Sequence, residues 1–209
     1  MATRHAPIRL YLVTDRTLTK GRRLVDVVAA AVQGGVDAVQ LREKDLSARE
    51  LVELARALLP ICRQHGARLL VNDRIDIALA TGADGVHLPA SSFSCRDARE
   101  LVGDAMLIGV STHSPGEVEA AANGGADFVV LGPICATPSK AAFGAPLGTD
   151  ALTAACSRTT VPVLGIGGID EANAFAVVRA GATGIAVVRA LCAASDPQQT
   201  AKNLRSMLR

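Results

Sequence analysis

The 209-residue chain is predicted to fold as one α/β domain, a single (β/α)8 TIM barrel spanning residues 1–209. Three observations predict it. Short, branched apolar runs alternate with helical patterns, which implies a parallel sheet with helices covering it. One segment type recurs four times, as GGVDAVQLR (34–42), TGADGVHLP (81–89), GGADFVVLG (124–132) and AGATGIAVV (180–188). Its glycines Gly35, Gly82, Gly125 and Gly181 lie 47, 43 and 56 residues apart. No Gly/Ser/Pro-rich linker interrupts the series. An open doubly wound sheet shares the alternation, but eight regular units with an internal repeat favour closure.

The elements follow in order. Strand 1 is expected within 8–14, and strand 2 begins after the first glycine pair. Each repeat glycine follows a helical pattern, where a left-handed cap is needed and only Gly adopts it without steric cost. The apolar run after it is short and continuous, as in a strand buried on both faces. Ser47-Ala48-Arg49-Glu50 reads as a capping box, and apolar residues at 51, 52, 54, 55, 58, 59 and 61 continue at helical spacing. Strands 3, 5 and 7 are expected at 68–72, 107–111 and 163–166, between repeat copies that supply strands 2, 4, 6 and 8. Ser114-Pro115-Gly116-Glu117 also reads as a capping box, with Pro at the first helical position, and Asp170-Glu171-Ala172-Asn173 starts another helix.

Composition removes several function classes. Apolar residues make up 49% of the chain, enough for a large core, so global disorder is excluded. A net charge of +2 with 2% aromatics argues against a nucleic-acid surface. No apolar run approaches the ~20 residues of a membrane span. The start MATRHAPIRL carries no apolar signal region, so a cytoplasmic location is expected. Cys62, Cys95, Cys135, Cys156 and Cys192 are scattered and form no C-x-x-C pair, which suits a reducing compartment. Cys135 lies in a functional loop but is read as a bystander.

In such a barrel the chemistry sits at the carboxyl ends of the strands. Gln40, Arg42 and Lys44 alternate along strand 2 and are expected to share an inward face. Inward cations need an anion, and phosphate supplies one; the alternative is local pairing with Glu43, Asp45 or Asp73. Asn72 and Asp73 end strand 3. A rim carboxylate beside phosphate points to Mg²⁺, the alternative being a helix N-terminal Asp. His87 ends strand 4 and is either a ligand or a satisfied histidine at the core edge; His113 is read as structural. Ser111 ends strand 5, and Thr137-Pro138-Ser139-Lys140 occupies the longest loop. Gly167-Gly168 before a helix start offers free backbone N–H groups.

These residues together resemble the thiamine phosphate synthase/thiazole tautomerase (TenI-like) family. The resemblance covers nearly the whole chain and rests on QLREK (40–44), VNDR (71–74), IGVSTHS (108–114), GADFVVLGPI (125–134), TPSK (137–140) and VPVLGIGGI (161–169). It implies a transferase that joins an aminopyrimidine-methyl diphosphate to a thiazole phosphate. Diphosphate leaves, a pyrimidine-methyl carbocation forms and the thiazole nitrogen attacks it. By motif position, the resemblance assigns Gln40, Arg42, Lys44 and Asn72 to the pyrimidine diphosphate and Asp73 to Mg²⁺. Ser111 and Lys140 are phosphate-side contacts, with Arg42, Ser111 and Lys140 the catalytic set. Thr137, Ser139, Gly168 and Val188 match the second phosphate site, and His87 the substrate-binding rim. The oligomeric state, including a homo-oligomer, is left open.

The resemblance also exposes departures. Synthases usually continue strand 4 as His-Leu-Gly-Gln-x-Asp, with the Asp as a second Mg²⁺ ligand. Here VHLPASSFS puts Ser92 there, a neutral hydroxyl in the metal position. The tautomerase branch needs a histidine after the glycine ending strand 6, where this chain has Pro133. Arg189 stands where a serine often contacts phosphate. A synthase is the first expectation. A tautomerase using another base such as His87, and a non-catalytic binder or regulator of thiamine precursors, are the alternatives.

Overall fold

The computed structural model describes residues 7–137 and 144–208. Within them the chain runs β1 (Leu10–Val13), α1 (Leu24–Gln33), β2 (Ala38–Leu41), α2 (Ala48–Gln64), β3 (Arg68–Asn72), α3 (Ile75–Thr81) and β4 (Gly85–Leu88). It continues through α4 (Cys95–Val102), β5 (Leu107–Thr112), α5 (Pro115–Asn123), β6 (Phe128–Leu131), α6 (Gly148–Cys156) and β7 (Val163–Ile166). Then come α7 (Ala174–Arg179), β8 (Gly184–Val187), α8 (Arg189–Cys192) and α9 (Pro197–Ser206). Each strand pairs in parallel with the next, and β8 pairs back onto β1, which closes the barrel.

Strand alternation divides the core in two. Tyr11, Val13, Leu70, Phe128, Val130 and Leu164 fill the barrel interior. Their neighbours Leu10, Leu12, Leu69, Val71, Val129 and Ile185 face outward and pack under the helices. That double burial explains why the strands read as continuous apolar runs rather than alternating ones.

The repeat has a structural logic of its own. Its glycines Gly35, Gly82, Gly125 and Gly181 all take positive φ, as expected of caps. Its aspartates fasten the strands from below. Asp37 accepts the Leu10 N–H at 2.8 Å, Asp84 the Leu69 N–H at 2.8 Å and Asp127 the Ile108 N–H at 2.7 Å. Each carboxylate also meets a helix-borne arginine, in the pairs Asp37–Arg205, Asp84–Arg63 and Asp127–Arg99. One side chain thereby ties the start of the preceding strand to the outer helical layer. The fourth copy carries Thr183 at that position.

Helix starts follow sequence chemistry, with one exception. Ser47 and Glu50 form the expected capping box, and Ser114 caps α5 with Pro115 behind it. The Glu117 carboxylate accepts from the His113 N–H rather than from Ser114, which makes His113 part of the cap. The exception is α7, which begins at Ala174, not at Asp170. Asp170 Oδ1 accepts the Ala172 N–H and Asn173 Oδ1 accepts the Asp170 N–H, so side-chain turns hold this stretch out of the helix.

Candidate active site

The inward row of β4, β5 and β6 builds the floor of the site. Tyr11, His87 and Phe128 meet there with ring centroids 5.5–5.9 Å apart. Space for the cluster comes from Gly109 on β5. A Cβ there would stand 2.3 Å from Phe128 Cζ and 2.8 Å from His87 Nδ1. The polar atoms of this floor are chained. Gln40 Nε2 donates to the Tyr11 hydroxyl at 3.3 Å, and that hydroxyl meets His87 Nδ1 at 3.3 Å. His87 Nε2 lies 2.9 Å from Ser111 Oγ. Burial, reinforced by the Arg42 charge, pushes the His87 imidazole down to about 3, so it is neutral. Burial likewise pushes the Tyr11 phenol far above its ordinary range despite the Gln40 bond.

Cations stand above this floor. Arg42 follows β2, is half-buried, and its guanidinium makes no hydrogen bond or ion pair among the described residues. The local acids that could have neutralised it are engaged elsewhere. Buried Glu43 accepts both the Arg16 N–H and its guanidinium, and Asp45 takes the other face of the same guanidinium at 2.6 Å. That guanidinium also holds the Asp45 carboxyl below its usual range. Lys44 differs from the sequence expectation. It lies beyond β2 in a turn and is exposed, because strand alternation ends before it.

At the end of β3, Asn72 is half-buried and faces inward with Gln40 and His87. Asp73 takes φ 63°, a conformation rare outside glycine, and turns its carboxylate toward the β4 loop. Ser92 Oγ donates to it at 2.5 Å. Among the described residues, no three His, Cys, Asp or Glu side chains gather to hold a metal. One carboxylate and one hydroxyl suit a hard cation that keeps its waters and takes other oxygens from a phosphate-bearing substrate, as Mg²⁺ does.

Across the mouth, β7 and β8 offer main chain instead of cations. Gly167 and Gly168 take φ 97° and 63°. A Cβ on Gly168 would lie 2.3 Å from the Ala136 carbonyl oxygen, so only glycine lets this turn pass the β6 loop. The N–H groups of Gly167 and Gly168 donate to nothing among the described residues. The helix start expected to assist them is absent, since α7 begins six residues past Gly168. α8 takes that place: it starts at Arg189, directly after half-buried Val188. Arg189 is exposed and unpaired among the described residues. Thr137 is half-buried in the β6 loop, while Ser139 and Lys140 lie outside the described residues. Burial raises the half-buried Cys135 thiol, which fits an unreactive neighbour.

His87 therefore departs from the rim role expected for it. It is 1% exposed and reaches the mouth only through Ser111. Two features escaped the sequence reading. Tyr11, the only tyrosine, looked like one more apolar strand residue; its inward register with Val13 was the available signal. The Arg16–Glu43–Asp45 cluster joins residues far apart in sequence and had no local signature.

Fold and mouth together define a (β/α)8 barrel that gathers cationic and hydrogen-bond-donating groups at the carboxyl ends of its strands, where barrel enzymes keep their active sites. Residues 10–191 match the family described as thiamine monophosphate synthase, and the chain belongs to that family. It is 45% identical over 195 residues to the thiamine-phosphate synthase of Roseiflexus castenholzii, covering 93% of this chain and 86% of that protein. It is 48% identical over 201 residues to the thiamine-phosphate synthase of Albidiferax ferrireducens, covering 96% and 92%. Among solved structures, thiamine phosphate pyrophosphorylase from Pyrococcus furiosus matches with a TM-score of 0.88 at 34% identity, over 96% of this chain and 95% of that one.

Proposed function

We propose that this chain is a thiamine-phosphate synthase. It joins an aminopyrimidine-methyl diphosphate to a thiazole phosphate and releases diphosphate. The observation that carries this reading is the pair of anion-ready positions on one mouth. Arg42 after β2, and the Gly167 and Gly168 N–H groups with Arg189 after β7 and β8, have no partner among the described residues. A two-substrate reaction between phosphorylated partners needs two such positions, whereas a single-substrate isomerase needs one.

The chemistry follows from the residues. The methylene–oxygen bond to diphosphate breaks, and a bond from the thiazole nitrogen to the same carbon forms. Negative charge grows on the departing diphosphate, so fixed cations and donors aimed at it lower the barrier. Arg42, Lys140 and Ser111 are assigned this role; Lys44, exposed in the turn beyond β2, is not. Gln40 and Asn72 offer amides to the pyrimidine edge. Thr137, Ser139, Gly168, Val188 and Arg189 hold the thiazole phosphate. Asp73 and Ser92 would hold Mg²⁺, which supplies further charge neutralisation for diphosphate. No proton leaves the attacking nitrogen, so the reaction asks for no base. That agrees with Pro133 after Gly132, where the tautomerase branch needs a histidine, and with a buried His87 that is linked to Ser111 and held neutral by burial.

Steady-state kinetics on two variants test the division of the mouth. Arg42→Met should raise KM for the pyrimidine diphosphate or depress kcat, and leave KM for the thiazole phosphate within about twofold. Arg189→Ala should do the reverse, raising KM for the thiazole phosphate by roughly tenfold, as loss of one charged hydrogen bond does. Equal effects of both variants on both substrates would contradict two separate anion sites.

A further inference from the structure

We infer that Tyr11 and His87 are positioning residues: through a one-way chain of hydrogen bonds from Gln40 they fix the Ser111 hydroxyl as a donor toward the substrate. The inference rests on the anionic substrate proposed above, because a donor at Ser111 matters only if an anion faces it.

The direction follows from what each atom can do. The Gln40 amide nitrogen faces the Tyr11 oxygen and can only donate, so the phenol accepts there. The phenol keeps its own proton, and the partner on its other side is His87 Nδ1. Nδ1 is then the acceptor nitrogen of a neutral imidazole, which leaves the single N–H on Nε2. Nε2–H points at Ser111 Oγ and donates to it. With a lone pair so engaged, the serine cannot turn its proton back into the floor. The proton is left for the mouth, where the Arg42 guanidinium has no partner among the described residues. In the opposite tautomer Ser111 would donate inward and show an anion only lone pairs.

The chain also settles the other end. With its nitrogen held by Tyr11, the Gln40 amide is oriented so that its oxygen is free to accept from a substrate N–H. Tyr11 thus sets the polarity of two substrate-facing groups that it separates, although it is itself fully buried. Gly109 is part of the same device, since any side chain there would displace the Phe128 ring and His87 Nδ1.

The test has two arms. In ¹⁵N-histidine-labelled full-length protein at neutral pH, the signals lost in His87→Gln identify this ring. They should report an Nε2–H tautomer in the wild type, and a loss of that fixed tautomer in Tyr11→Phe. An Nδ1–H tautomer in the wild type would overturn the inference whether or not the protein makes thiamine phosphate. In the second arm, Tyr11→Phe should lower kcat roughly tenfold while KM for the thiazole phosphate holds, as loss of one oriented hydrogen bond implies. The same substitution in a Ser111→Ala background should lower kcat little further. An equal fall in both backgrounds would mean that Tyr11 acts only by packing. Absent turnover in the wild type would sink the proposed function but leave the tautomer result to decide the chain of bonds.

Discussion

His87 illustrates how one residue carries both stability and chemistry. Its imidazole is pushed from 6.5 to about 3 by burial, then by Arg42. A histidine that is neutral when folded and ordinary when unfolded costs nothing above pH 6.5. Below it the unfolded chain binds the extra proton, so stability falls as pH drops toward the folded value, by up to about 1.4 kcal/mol per unit. Urea unfolding should therefore show wild type losing about 2 kcal/mol between about pH 7.5 and about pH 5 relative to His87→Gln, which cannot titrate. Parallel pH profiles for the two proteins would mean that His87 is not held neutral. The sequence offered His87 as either a ligand or a core-edge histidine. The barrel favours the second position and links it to Ser111, a connection no spacing along the chain could reveal.

At the scale of the element, the repeated Gly-x-Asp segment does two jobs. Its glycines close helices, and three of its aspartates brace the start of the preceding strand. Asp127 joins the Ile108 N–H and the Arg99 guanidinium, both under 2.8 Å. Asp127→Ala should cost about 1–3 kcal/mol in denaturant unfolding, since it strands a strand-edge N–H and an arginine together. A loss below ~0.5 kcal/mol would show that water replaces the carboxylate. The repeat was plain in the sequence, but the brace was not, because its partners lie in other elements. The start of α7 was misplaced for a local reason: Asp170 and Asn173 are good helix-starting residues that here bond their own turn. Lys44 was read as inward because alternation was extended past Leu41, where the strand ends.

For the whole molecule, eight parallel strands and their order were legible because burial on both faces leaves continuous apolar runs. The rim residues Arg42, Asn72, Asp73, Ser111 and Gly168 were legible for the same reason, as each lies within two residues of the end of such a run. What closure adds is adjacency. It brings β8 beside β1, so that the end of β8 and Arg42 at the end of β2 flank the same strand. The strand-4 loop VHLPASSFS departs from the synthase pattern, yet Ser92 still sits on Asp73, the position from which a second ligand would act. The most direct measurement is product formation by the purified chain. The aminopyrimidine diphosphate and the thiazole phosphate would be mixed with it across a range of Mg²⁺ concentrations. Thiamine phosphate and diphosphate should appear in equal amounts and rise with Mg²⁺, with no product in chelator. No thiamine phosphate at any Mg²⁺ concentration would contradict a synthase built on this mouth.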